Sequence, residues 1–236
     1  MLLSRAYSTT GRSQRRQVVT CPEVVKVHKS TAKIDFSRFH VLHREGRKLI
    51  AGWFNRAWGA RDCPAEDSFE PFIFAWFAVN GWAACVSEVD KDRAYLEALM
   101  CDPKMCQDFA DHLSDSESPL NSCATDFGKL WAIVEVKDLR RRGIMRFSSH
   151  DRDSIVHDYL RAGALKFHPR CWKRHHDAGE TVPLDWPHVL AAIYQVRCNL
   201  FHGEKAAHSE IDQRVVSTAF RTLVHFFNAA GYLPGG

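Results

Sequence analysis

A chain of 236 residues and 27.0 kDa, 45% hydrophobic and 25% charged, has the composition of an ordinary globular protein, which excludes disordered, collagen-like and coiled-coil classes. Its 32 basic and 28 acidic residues leave a formal net charge of +4, too modest to mark a nucleic-acid-binding protein by charge alone. A domain of this length buries roughly 70 to 75% of its unfolded surface, so it needs no disulfide or metal staples. The eight Cys contain no CxxC pair and are too sparse for a disulfide scaffold, so reduced thiols in a cytoplasmic setting are expected.

The first 22 residues carry Arg5, Arg12, Arg15 and Arg16 and no acid, which reads as a basic arm over 1–30; they also share the composition of an organellar transit peptide. The remainder, 31–236, reads as one helical domain. Val18 to Val27 is a short strand candidate weakened by Pro22. From Phe39 to Trp58, apolar residues recur every three, four or seven positions and predict one helix, weakened locally by Gly46 and Gly52. Helices follow over Ser68 to Val89, Lys91 to Met100 and Pro103 to Leu113, the last with Pro at its first turn. Phe72 to Val86 is the longest apolar stretch; Asn80 and Gly81 interrupt it, and it reads as a buried core helix rather than a membrane span.

The polar run Ser114 to Ser122 predicts a loop, Cys123 to Val136 a helix, and Lys137 to Arg146 a basic connector. Asp153 to Leu165 predicts another helix, and Lys166 to Asp185, rich in charge and interrupted by Pro and Gly, an irregular segment. The last two helices are the most legible. Trp186 to Phe201 has Pro187 for its first turn and Gly203 beyond its end, and His208 to Ala230 repeats apolar residues through Ile211, Val215, Ala219, Phe220, Leu223 and Phe226. The fold class is all-α, a helical bundle without internal repeats.

No GxxxxGK[ST], GxGxxG, HExxH or GxSxG motif is present. His202-Gly203-Glu204 matches the HxE half of a zinc deaminase signature, but no Cys follows it, so the PCxxC half is missing. His168, Cys171, His175 and His176 have donor chemistry for zinc, yet Lys166, Arg170, Lys173 and Arg174 around them oppose a dication, and a solvated or phosphate-touching basic loop fits better. No cofactor or metal is expected.

The sharper signal is Arg197-Cys198-Asn199-Leu200-Phe201-His202-Gly203, an Arg and a His five residues apart at a helix end. RNA supplies its own 2′-hydroxyl nucleophile, so cutting it requires a group that moves the proton and a cation for the charge growing on phosphorus. Histidine titrates near neutrality and serves as base or acid; arginine grips phosphate oxygens with two parallel donors. Residues five apart are rotated by roughly 140° on a helix, so Arg197 and His202 do not share a face. The same spacing also suits an Arg and a His that merely favour the helix dipole.

The string Tyr194 to Lys205 (YQVRCNLFHGEK), followed by a long amphipathic helix, resembles the Rx4-6H region of the HEPN superfamily, in particular its larger prokaryotic members akin to the ApeA-like group. The aromatic-rich helix around Asn80 is similar to their core helix. The likeness covers 186–230 well and 68–86 loosely. Where that family commonly has Asn directly after the Arg, this chain has Cys198, with Asn199 next.

The resemblance implies a helical homodimer in which two motifs line one cleft and cut RNA without a metal, leaving a 2′,3′-cyclic phosphate and a 5′-hydroxyl, as toxins or anti-phage effectors restrained by an antitoxin or defence partner. By transfer, Arg197 clamps the phosphate, His202 is base or acid, Asn199 orients the phosphate or holds His202, and Lys205 touches the backbone. Tyr194 and Phe201 flank Arg197 and either stack bases or pack the core. Arg140, Arg141 and Arg142, with Arg146, either track an RNA backbone or form a solvated basic turn. The rival expectation is a non-catalytic HEPN-like module that binds RNA, a nucleotide or a partner protein.

Overall fold

The computed structural model describes residues 33–89, 91–144, 149–201 and 209–235, with the side chains of 149–153 left aside. The basic arm and the strand candidate Val18 to Val27 lie outside these residues, as do Arg146, His202 and Lys205. The described residues form eleven α-helices, one 3-10 turn and a two-stranded sheet, so the all-α expectation holds at the level of fold class.

The core forms around α3 (Phe69–Ser87). Phe72, Ala75, Trp76, Val79, Trp82, Ala83 and Val86 are all buried, on more than one face, because α2 (Arg44–Gly59), α4 (Asp92–Cys101) and α11 (Glu210–Ala229) pack around it. It is the one described helix long and apolar enough to cross a membrane, and here the aromatic stripe lies in the protein core. Asn80 is the polar break in that helix: the Tyr95 hydroxyl of α4 donates to its Oδ1, so a neighbouring helix satisfies this partly buried amide.

α10 (Trp186–Phe201) and α11 bring a second set of aromatics to the same core. Trp186 lies 4.5 Å from Phe226 between ring centroids, and Phe226 lies 5.1 Å from Phe109 of α5 (Pro103–Ser114). Trp186 also donates Nε1–H to the Leu99 carbonyl at 3.0 Å, which satisfies its polar edge inside the core. Each such fully buried ring is worth roughly 1.5–3 kcal/mol over its exposed state.

Several boundaries differ from those read in the sequence. The stretch from Phe39 to Trp58 is two helices, α1 (Arg38–Val41) and α2, because the chain turns at Leu42 and the His43 Nδ1 accepts from the Glu45 N–H to start α2. The polar run after α5 is only partly loop. Ser118 accepts from the Leu120 N–H and Pro119 occupies the first turn, so α6 runs Pro119–Lys129 and stops well before Val136. Strand β1 (Ile133–Val134) follows, and α7 (Val136–Arg141) takes up the front of the predicted basic connector. α8 (Ser149–Arg161) starts and ends four residues earlier than expected, with Gly163 at φ +66 beyond it.

The segment 166–185 is more ordered than its composition suggests. Strand β2 (Phe167–His168) pairs antiparallel with β1, Ile133 opposite His168 and Val134 opposite Phe167, and α9 (Trp172–Ala178) follows. Leu139, Ile144, Leu160 and Leu165 close a small second core beside this strand pair.

Candidate functional site

Arg197 sits in the last turn and a half of α10, where the helix leaves the main core. Its guanidinium carbon lies 4.6 Å from the centroid of Phe201, 5.7 Å from Trp76 and 5.9 Å from Tyr194. Phe201 is four residues on and Tyr194 three residues back, so both are neighbours on the α10 surface, while Trp76 comes from α3. Such ring faces attract the cation and hold its plane.

The fourth contact is an acid: Arg197 Nη2 lies 3.4 Å from Asp92 Oδ2 at the first turn of α4. The Arg197 side chain keeps 23% of its exposure, and its Nε is buried without a partner. A guanidinium held at four points, with 23% of its side chain open to solvent, is a cation in a fixed orientation whose exposed edge can still meet an anion.

Tyr95 and Tyr194 border this cation. Burial and the adjacent Asp92 carboxylate raise the Tyr95 hydroxyl far above the ordinary phenol range, with Arg197 opposing. Burial likewise pushes Tyr194 up to about 12, and the neighbouring Cys198 thiol adds to the effect. Both phenols are neutral donors at physiological pH and neither is a base. Tyr194 also lies 5.9 Å from Trp76 between ring centroids, so it packs against the core while flanking the cation.

Asn199 points elsewhere. It is 1% exposed, and its Oδ1 accepts from the Gln195 side chain at 2.9 Å and from the Val136 N–H at 3.2 Å, while its Nδ2 donates to the Val134 carbonyl at 2.8 Å. The expected phosphate contact therefore has no exposed amide atom to make it. Asn199 instead pins α10 to β1 and to the first turn of α7.

That pin places α7 beside the end of α10. Arg140 and Arg141 are exposed on α7, within a helix about 9 Å long. Arg142 is built into the scaffold: Nε lies 3.3 Å from Asp138 Oδ2, Nη2 donates to the Ala164 carbonyl at 2.6 Å, and the guanidinium covers Tyr159. His202 and Lys205 follow Phe201 directly in the chain and lie outside the described residues. Sequence reasoning missed Asp92, Trp76 and Tyr95, which reach Arg197 only through the packing of α3 and α4 on α10.

The histidine-rich segment gathers no metal site: among the described residues no three His, Cys, Asp or Glu side chains converge to hold an ion. His176 stacks on Trp172 at 4.7 Å, and His175 Nδ1 lies 3.1 Å from Glu180. Cys171 Sγ lies 3.1 Å from His188 Nε2, whose Nδ1 is 2.5 Å from Asp185 Oδ1. This thiol, imidazole and carboxylate have the order of a nucleophilic relay, but Cys171 and His188 are both fully buried. Asp185 also accepts from the His188 N–H at 3.1 Å, so the trio fastens the start of α10 to the turn before α9.

A cavity of about 490 Å³ lies between the end of α6, α9 and the 180–184 connector, lined by Trp131, Trp172 and His176 among others, and it includes none of the residues around Arg197. Comparison of the chain with family models, with curated proteins and with solved structures finds no match to any of them.

Proposed function

We propose that this chain is a HEPN-like, metal-independent endoribonuclease that cuts by internal transesterification. The observation that supports it is the preorganised, partly exposed guanidinium of Arg197 in the last turns of the helix whose next residue is His202. A cation held in place before substrate arrives stabilises developing charge without reorganising at the moment of reaction.

In this reading Arg197 binds the non-bridging oxygens of the scissile phosphate. His202 takes the proton of the 2′-hydroxyl; the 2′-oxygen bonds to phosphorus, and the bond to the 5′-oxygen breaks as that oxygen receives a proton from an imidazolium. The products are a 2′,3′-cyclic phosphate and a 5′-hydroxyl. Two histidines acting as base and acid suit a homodimeric cleft, where Arg197 of one subunit faces His202 of the other, and this also answers the 140° offset expected of residues five apart on a helix. Lys205, Arg140 and Arg141 add backbone contacts. The setting is cytoplasmic, as a toxin or anti-phage effector held in check by an antitoxin or defence partner.

The direct test of the chemistry is a substrate with 2′-deoxyribose at the cleaved position: cutting there must stop while flanking sites are still cut. Continued cutting at the deoxy position contradicts the proposal. Sedimentation at micromolar concentration checks the dimer, and a strict monomer contradicts the shared cleft.

The Arg197–Asp92 pair favours a second reading, in which the cation and the Asn199 pin are scaffold and the chain is a non-catalytic module for RNA, a nucleotide or a partner protein. Under it, RNA is bound and released uncut.

A further inference from the structure

The cavity of about 490 Å³ beside α6 and α9 is built like a small-molecule site. Its floor is Trp131, 9% exposed and two residues before β1. Trp172, the first residue of α9, forms a side wall, and His176, one helical turn on, lies flat against it with the ring planes 10° apart. Phe167 of β2 meets Trp172 edge-on at 5.9 Å, so the indole is braced from the strand pair. Aromatic walls of this kind favour a flat ring through offset and edge contacts. Mostly apolar clefts of roughly 300–1,000 Å³ with a few polar groups take small molecules. This one falls at the lower end of that range, with room for one ring and a short polar tail.

Two opposite charges stand at its rim. Lys129 ends α6, and Glu180 opens the 180–184 connector. Their side chains are 67% and 65% exposed, and each has one weak partner: Lys129 Nζ lies 2.8 Å from Asp126 Oδ1 on the same helix, and Glu180 Oε2 lies 3.1 Å from His175 Nδ1. Exposed pairs of this kind hold weakly, so either charge is able to turn to a ligand. A phosphate here would meet the Glu180 carboxylate as well as Lys129, and a quaternary ammonium would meet Lys129 as well as Glu180. A zwitterion meets both with matching sign.

We propose that this cavity binds a free aromatic α-amino acid, its ring against Trp131, Trp172 and His176, its carboxylate at Lys129 and its ammonium at Glu180. The cavity shares no residue with the surroundings of Arg197, so the inference stands apart from the RNA reading. An aromatic residue inside a peptide offers the same ring but brings neither charge, and the paired rim therefore favours the free amino acid.

The test is isothermal titration calorimetry of the full chain with L-phenylalanine, with L-alanine, which has both charges and no ring, and with N-acetyl-L-phenylalaninamide, which has the ring and neither charge. L-Phenylalanine should bind at a single site with a Kd of about 10 μM to 1 mM, the range open to a ligand of its size. L-Alanine and the blocked amide should each bind at least about tenfold more weakly. Lys129→Gln and Glu180→Gln, at exposed positions that leave the fold intact, should each weaken L-phenylalanine about two- to fivefold. Trp172→Phe, which keeps a ring, should weaken it less than Trp172→Ala. No heat from L-phenylalanine up to about 10 mM overturns the proposal. Equal binding of the blocked amide overturns it in favour of a peptide side chain, and unchanged binding by both rim variants overturns the placement in this cavity.

Discussion

Arg197 and Asp92, 105 residues apart in the chain, meet at 3.4 Å where α10 crosses the first turn of α4. The carboxylate occupies one of the guanidinium donors that a phosphate would take, so it both orients the cation and competes with substrate. Asp92 is well exposed, and an ion pair of this kind is worth less than ~1 kcal/mol. Asp92→Asn should therefore shift the urea midpoint little and tighten RNA binding two- to fivefold, about 0.5–1 kcal/mol, because a competing charge is gone. Weaker RNA binding in this variant would mean that orientation, not competition, is its main contribution.

Asn199 should behave as a scaffold residue. Asn199→Ala strands the Val136 N–H, the Val134 carbonyl and the Gln195 amide, and leaving such buried groups unpaired should cost roughly 2–4 kcal/mol in chemical denaturation. A variant of native stability that has lost RNA cleavage would instead restore the phosphate-orienting role expected from the sequence.

His168 sets an acid limit on stability. Burial, with Arg170 and Arg93 nearby, lowers its pKa to about 4 from the usual 6.5, so the folded protein keeps it neutral. The unfolded chain takes up the proton first. Stability from this residue is therefore intact above about pH 6.5 and declines as pH falls toward 4, by up to about 3 kcal/mol. His168→Gln should flatten that part of the profile of unfolding free energy against pH, and an unchanged slope between pH 4 and 6.5 contradicts the assignment.

The thiols should separate by burial. Cys101 is exposed, whereas Cys171 is fully buried against His188, and burial together with nearby Asp185 and Asp102 pushes Cys106 up to about 12. A thiol reagent at pH 8 should label Cys101 in the native protein and reach Cys106 and Cys171 only on unfolding, as read by mass spectrometry of peptides. Rapid native labelling of Cys171 would show that the buried trio with His188 and Asp185 opens to solvent.

The sequence marked α10 well because Pro187 and a long apolar run leave little choice of register, and it marked Asn80 because a polar side chain inside an apolar helix needs a partner. It misplaced α6 because Ser118 and Pro119 are turn residues and also good helix starters. The strand pair stayed hidden because two-residue strands have no periodicity and their pairing joins segments more than 30 residues apart. Arg197 stood out through its motif, but its partners did not: Asp92 and Trp76 are ordinary members of other helices until packing brings them to the guanidinium. Asn199 misled for the complementary reason, since residue type and spacing say nothing about which way an amide faces.

The central claim is tested most directly by incubating RNA in EDTA with wild type, His202→Ala and Arg197→Lys, and reading the ends of the products. The account predicts that wild type cuts and leaves 2′,3′-cyclic phosphates, that His202→Ala loses about 10²–10⁴-fold in rate, and that Arg197→Lys, which keeps the charge but loses the planar fork, loses about 10²-fold or more. Wild type that binds RNA without cutting it, or a His202→Ala variant as active as wild type, contradicts it.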